Sequence, residues 1–115
     1  MRDLSLHILD IAQNAVGAKA DRITISLTAE GRPGVLKVVI SDNGRGMEPD
    51  LLDRVTDPFT TSRKTRQVGL GIPLLKQSAE LAGGVFSIKS VVNEGTEVIA
   101  TFPVDSVDRV PVWLL

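Results

Sequence analysis

Apolar residues at Ile8, Ile11, Ala12, Ala15 and Val16 recur at helical spacing and predict a first helix over residues 4–16. Asp3 or Ser5 can cap its start. "RITISLT" (22–28) and "VLKVVISD" (35–42) instead alternate, and their β-branched residues suit strands. "AEGRPG" (29–34) between them is a turn, which makes the pair a hairpin. A second helix is predicted from Ile72 to Ala82, with Pro73 in its first turn and Gly83-Gly84 as its stop. Its expected packing face is Leu74, Leu75, Ser78, Ala79, Leu81 and Ala82. "VFSIKSV" (85–91), "VNEG" (92–95) and "TEVIATFPV" (96–104) then read as a second hairpin. The order α-β-β-loop-α-β-β predicts an α+β two-layer sandwich, one sheet with its helices on one face.

Residues 43–70 break this rhythm. They contain "NGRGMEPD" and "TDPFTTSRKTRQVG", with little periodic apolar pattern and room for one short helix at 48–55. A loop-rich stretch this long inside a compact domain is usually functional. The tail "DRVPVWLL" (108–115) is apolar and interrupted by Pro. It reads as a further edge strand, a docking segment or a loose end.

Composition narrows the function classes. The 115 residues predict one domain. Aromatics are only 3%, so the core must be aliphatic. With 13 basic and 14 acidic residues there is no basic excess of the kind a nucleic-acid binder shows. There is no Cys and one His, which excludes a Cys/His zinc site. No signal-peptide pattern and no apolar run of membrane-spanning length is present, so a soluble cytoplasmic protein is the expectation.

Several segments carry candidate chemistry. His7, Asp10, Asn14 and Gly17 are spaced to share one stripe of the first helix. A carboxylate and an amide one turn apart suit a hydrated divalent cation, because Mg²⁺ takes few protein oxygens plus waters and phosphates. A plainly solvated helix face has the same spacing. In "SDNGRGM" (41–47), Asp42 ends a strand where its carboxylate can accept from an exocyclic amine such as that of adenine. Gly44 and Gly46 let the backbone turn and approach a ligand, though Asn-Gly is also an ordinary turn signal. "QVGLGIPLLK" (67–76) puts Gly69 and Gly71 just before a helix, where free N–H groups and the dipole favour phosphate. It is neither a P-loop nor a dinucleotide fingerprint. "TTSRKTR" (60–66) mixes hydroxyls with Arg63, Lys64 and Arg66, a triphosphate neighbourhood or a solvated loop. "EGTEV" (94–98) opens the last strand with a Gly-Thr pair, and Thr96 can hydrogen-bond a base or a bridging water.

In this order and spacing, the segments resemble the GHKL ATPase superfamily of gyrase, the Hsp90 chaperone, histidine kinases and MutL. The resemblance runs over about residues 4–104. "DIAQNAVGAKADRITI" looks like the N box, "DNGRGM" the G1 box, "DPFTTS" the entry to the ATP lid, "VGLGIPLLKQSAELAGG" the G2 box with its helix, and "GTEV" the last Gly-Thr box. The likeness is greatest to the histidine-kinase type.

It implies a Bergerat-type ATP-binding fold with one mixed sheet, and ATP and Mg²⁺ as cofactors. Asn14 stands at the Mg²⁺-ligating position and Asp42 at the adenine-reading one. Gly44, Gly46, Met47, Gly69, Leu70, Gly71 and Thr96 fall in nucleotide-binding boxes. A lid of about residues 48–68 would bring Thr60, Thr61, Ser62 and Lys64 to the phosphates.

The departures are informative. Relatives that hydrolyse ATP commonly carry Glu four residues before the Mg²⁺ Asn, and Asp10 stands there, one methylene shorter. It is the candidate catalytic residue. Gly17 stands where an acidic or amide residue is often found, and Val68 where many relatives have Gly. The strand that usually precedes the N-box helix has no room before residue 4, which leaves a sheet edge to the tail, to a second chain in a homodimer, or open. His7 is expected to pack rather than to accept phosphate. The resemblance implies a stand-alone kinase module, like a histidine-kinase catalytic domain or a small anti-sigma-factor kinase, that passes the γ-phosphate to a partner protein. A non-catalytic nucleotide switch and, behind it, an ATPase are the alternatives.

Overall fold

The computed structural model describes residues 4–31, 34–56 and 71–104. Its elements are α1 (Leu4–Gly17), β1 (Ile23–Glu30), β2 (Gly34–Asp42), α2 (Pro49–Val55), α3 (Gly71–Leu81), β3 (Phe86–Val91) and β4 (Gly95–Val104). Every element expected from the pattern is present, within about two residues at each end, the scatter usual for element boundaries. The short helix at 48–55 is α2. The tail lies outside the described residues.

The four strands form one sheet in the order β1-β2-β4-β3. All three pairings are antiparallel, so the mixed sheet implied by the resemblance is corrected among the described residues. Each hairpin closes on itself, and β4 returns antiparallel along β2. Alternation then sorts the sheet into two faces. Leu36, Val38 and Ile40 of β2 and Val98, Ala100 and Phe102 of β4 turn inward and are buried. Lys37 lies opposite Thr101 and Lys89 opposite Glu97 on the outer face, a polar surface suited to water.

The helices cover only the inner face. Ile11 and Ala15 of α1, Val55 of α2, and Ile72, Leu75 and Ala79 of α3 complete the core. Leu81 of the expected packing face is corrected: it is 81% exposed, because it stands two residues after Ala79 and six after Leu75, on the opposite side of α3, while Ala82 packs against the core. Val16, one position round the helix from the buried Ala15, is 65% exposed. On β1 the inward Ile25 and Leu27 also remain exposed, since the helical layer lies over β2, β4 and β3.

Helix α1 ends in a Schellman turn: Ala20 N–H bonds the Ala15 carbonyl at 3.1 Å and Lys19 N–H the Val16 carbonyl at 3.0 Å. The turn needs a left-handed residue, and Lys19 supplies it with φ 62°. Helix α3 ends the same way, through Gly83 at φ 83°. An L side chain in that region costs about 1–2 kcal/mol, part of which glycine gives back in chain entropy. Lys19→Gly is therefore expected to raise stability by about 0.5–1 kcal/mol in urea unfolding. A lower midpoint would show that the Lys19 side chain holds something the turn does not.

Candidate functional site

A cavity of about 400 Å³ opens between α1, the loop after β2, α2 and the start of α3. That size lies within the roughly 300–1,000 Å³ of small-molecule sites. Its apolar wall is Ile11, Ala15, Met47, Leu51 and Ile72, and its polar groups are Asn14, Asp42, Arg45 and Thr96. Helix and strand spacing, not sequence proximity, bring these together. Ile11, Asn14, Ala15 and Ala18 come up on one side of α1 at i, i+3, i+4 and i+7. Asp42 and Thr96 are direct cross-strand partners on β2 and β4.

Asp42 is held by its own loop. One carboxylate oxygen accepts the Gly44 N–H at 2.7 Å. The other oxygen has no protein partner among the described residues, so the carboxylate keeps an acceptor at the cavity. The loop is tied down on both sides. Arg45 N–H bonds the Ala18 carbonyl at 3.0 Å, and the Arg45 carbonyl accepts the Asn93 N–H at 2.7 Å. The Arg45 guanidinium also donates to the Gly17 carbonyl at 2.9 Å, a cation at the C-terminal end of α1.

Asn14 carries a distinctive signal. Its side-chain nitrogen is buried and has no hydrogen-bond partner among the described residues. A buried polar group without a partner costs about 1–3 kcal/mol. It is accounted for when a ligand or ordered water completes it.

The glycines divide into different roles. A side chain at Gly46 would meet the Val91 carbonyl at 2.1 Å, so that glycine is required where the loop crosses the end of β3. Gly44 is buried against Ala18 and does not line the cavity. Gly71 lets α3 lie against α1: its Cβ would sit 2.8 Å from both Asp10 Cβ and the His7 carbonyl. Gly17 has open space around it and lines the cavity. Asp10 is half-buried at the α3 crossing and is not among the lining residues, while His7 is buried, as a packing residue is. Thr60, Thr61, Ser62, Lys64, Gly69 and Leu70 lie outside the described residues.

Sequence reasoning missed Arg45 and two further residues that organise the site. The Asn43 side-chain oxygen accepts the Asp21 and Arg22 N–H groups at 2.8 and 2.9 Å and pins the loop to the chain entering β1. Ser90 binds the Met47 N–H and the Thr96 hydroxyl. A polar residue in the inward slot of "FSIKS", after Phe86 and Ile88, was the available signal for Ser90.

Residues 2–106 match the model of the histidine kinase-, DNA gyrase B- and HSP90-like ATPases. The chain belongs to this family. Sporulation kinase D of Bacillus subtilis is 39% identical over 101 residues, covering 86% of this chain and 19% of that protein. Histidine protein kinase DivJ of Caulobacter vibrioides is 33% identical over 107 residues, 90% of this chain and 18% of DivJ. Sensor histidine kinase ZraS of Escherichia coli is 28% identical over 108 residues, 94% of this chain and 23% of ZraS. The chain thus spans about a fifth of the length of the curated relatives it matches. It is a histidine-kinase-like ATP-binding domain of α+β architecture. No helix among the described residues is long and apolar enough to cross a membrane.

Proposed function

We propose that the cavity takes Mg·ATP and that the chain acts as a phosphotransferase module, passing the γ-phosphate to a partner protein. The observation that carries this is the cavity itself, which places the Asn14 side chain, whose buried nitrogen has no partner among the described residues and can donate to a phosphate oxygen, along one wall from the Asp42–Thr96 pair. One end suits a base and the other a phosphate-bound cation. The described residues hold no cluster of three His, Cys, Asp or Glu that would cage a metal. Mg²⁺ would be held chiefly by phosphate oxygens and water, with the Asn14 amide oxygen as its protein contact. Bound there, the ion would neutralise charge on the phosphates.

Phosphoryl transfer rests mainly on positioning and electrostatics. Ile11, Ala15, Leu51 and Ile72 would give the base an apolar slot, Asp42 would accept from its amine, and the start of α3 would offer N–H groups to the phosphates. Thr60, Thr61, Ser62 and Lys64 are proposed as further phosphate contacts. An imidazole acceptor has a free lone pair and needs no strong base. Asp10, short and placed at the α3 crossing rather than in the cavity wall, suits that acceptor class and the orienting of it. The relatives named above as histidine kinases support the same chemistry.

Incubating the full chain with γ-labelled ATP, Mg²⁺ and cell extract tests the reading. Label on an extract protein supports it. Mg·ATP binding with neither transfer nor phosphate release would leave a nucleotide switch, and free phosphate alone an ATPase. Asn14→Ala is expected to remove the response of ATP affinity to Mg²⁺, with a loss of at least about tenfold, the scale seen when even an outer-shell partner of a metal is removed. Titrations with and without Mg²⁺ check it. An unchanged Mg²⁺ response would take Asn14 out of the metal site.

A further inference from the structure

Three inward-facing polar residues stand in a row across the sheet. Ser90 of β3 is the cross-strand partner of Thr96 on β4, and Thr96 that of Asp42 on β2. Asp42 and Thr96 line the cavity, whereas Ser90 stands behind Thr96 and is not among the lining residues. Its hydroxyl accepts the Met47 N–H at 2.8 Å, lies 2.7 Å from the Thr96 hydroxyl and 3.3 Å from the Gly95 carbonyl.

A serine hydroxyl has a single proton. With Met47 N–H on one lone pair, that proton goes either to Thr96 or to the Gly95 carbonyl. The Gly95 carbonyl, at 3.3 Å, lies beyond the roughly 2.5–3.0 Å range of a good hydroxyl-to-oxygen bond, so Thr96 at 2.7 Å is the better acceptor of the Ser90 proton. When Ser90 donates to Thr96, the Thr96 proton is free to point into the cavity. Beside Asp42, an acceptor, the cavity then presents a donor. When Thr96 donates to Ser90 instead, both neighbouring groups can only accept.

We propose that Ser90 is a positioning residue that fixes Thr96 as a hydrogen-bond donor and thereby sets the choice of adenine over guanine. The proposal rests on the reading of the cavity as a nucleotide site. Adenine offers an amine donor next to a ring-nitrogen acceptor, the complement of Asp42 beside a donating Thr96. Guanine offers a carbonyl acceptor next to an N–H donor, the reverse. Ser90 therefore acts on recognition without touching the base, through the direction of one proton.

The test measures ATP and GTP dissociation constants for the full chain and for Ser90→Ala, Thr96→Val and the double variant, together with the melting temperature of each without nucleotide. One neutral hydrogen bond corresponds to about 2–10-fold in affinity. Ser90→Ala and Thr96→Val are each expected to lower the ATP-over-GTP preference by that amount. The double variant is expected to show no greater loss of preference than Thr96→Val alone, because Ser90 works through Thr96. Ser90→Thr, which keeps the hydroxyl, is expected to retain the preference. If Ser90→Ala does not fold, Ser90→Cys carries the same comparison with a weaker donor. A fall in melting temperature and in both affinities at a constant ATP:GTP ratio overturns the proposal and reduces Ser90 to a support for Met47. Multiplying losses of preference in the double variant also overturn it. An unmutated chain that binds neither nucleotide, or both equally, overturns the reading of the cavity itself.

Discussion

Asp42→Ala is expected to weaken ATP binding by about 10–100-fold while changing GTP binding far less. Hydrogen bonds to an ionised group contribute about 1.5–3 kcal/mol, which sets that range. The asymmetry follows from the geometry. Gly44 N–H holds one carboxylate oxygen at 2.7 Å, and the other is left as an acceptor beside the cavity. An exocyclic amine pairs with it, whereas a carbonyl in the same place is repelled. Alanine also removes the partner of the Gly44 N–H, so part of its effect is a loosened loop. Asp42→Asn separates the two terms. Its amide oxygen can still accept from Gly44, and its amide nitrogen then faces the cavity as a donor. ATP affinity is expected to fall as in the alanine variant, and GTP affinity to hold or rise. Calorimetric titration of both nucleotides with both variants checks this. An asparagine variant that keeps the ATP preference would show that Asp42 does not read the base.

What was legible in the sequence follows a physical division. Elements set by periodicity were read almost whole, because burial of one face imposes the period: β2 alternates Leu36, Val38 and Ile40 inward, and α3 buries Leu75 and Ala79 one turn apart. The limits of packing were not legible. On β1, Ile25 and Leu27 alternate inward as core strand residues do, yet both stay exposed because the helices lie over β2, β4 and β3. Nothing in the local sequence reports where the opposing layer stops.

The site divides in the same way. Asn14 and Asp42 stood out as polar residues adjoining apolar runs. That Thr96 would face Asp42 required the strand register, and that Ser90 would stand behind Thr96 required the third strand. The glycines were legible as signals of a special backbone, but their reasons were not. Gly71 and Gly46 answer to neighbouring chain segments, a helix and a strand end, that lie far away in sequence.

Gly95→Ala is expected to be strongly damaging. Gly95 has φ 126°, a conformation that side-chain-bearing residues rarely adopt, and a Cβ there would lie 2.0 Å from the Asp42 carbonyl oxygen and 2.9 Å from Asn43 Cα. The backbone strain alone is worth about 1–3 kcal/mol. The collision is with backbone, so no rotamer change relieves it. Relief requires β4 to move off β2 where Thr96 faces Asp42. A loss of about 3 kcal/mol or more is expected, which for a domain of this size lowers the melting temperature by roughly 10–20 °C. Because the same displacement separates Thr96 from Asp42, ATP affinity should fall in the protein that remains folded at low temperature. Gly17→Ala is the matched control. It adds the same methyl to a helix end with nothing within 4 Å, and alanine is the better helix former by up to about 1 kcal/mol, so its melting temperature should hold or rise. If Gly95→Ala melts with the unmutated chain, β4 does not cross Asp42 as closely as described, and the pairing of Thr96 with Asp42 loses its structural basis.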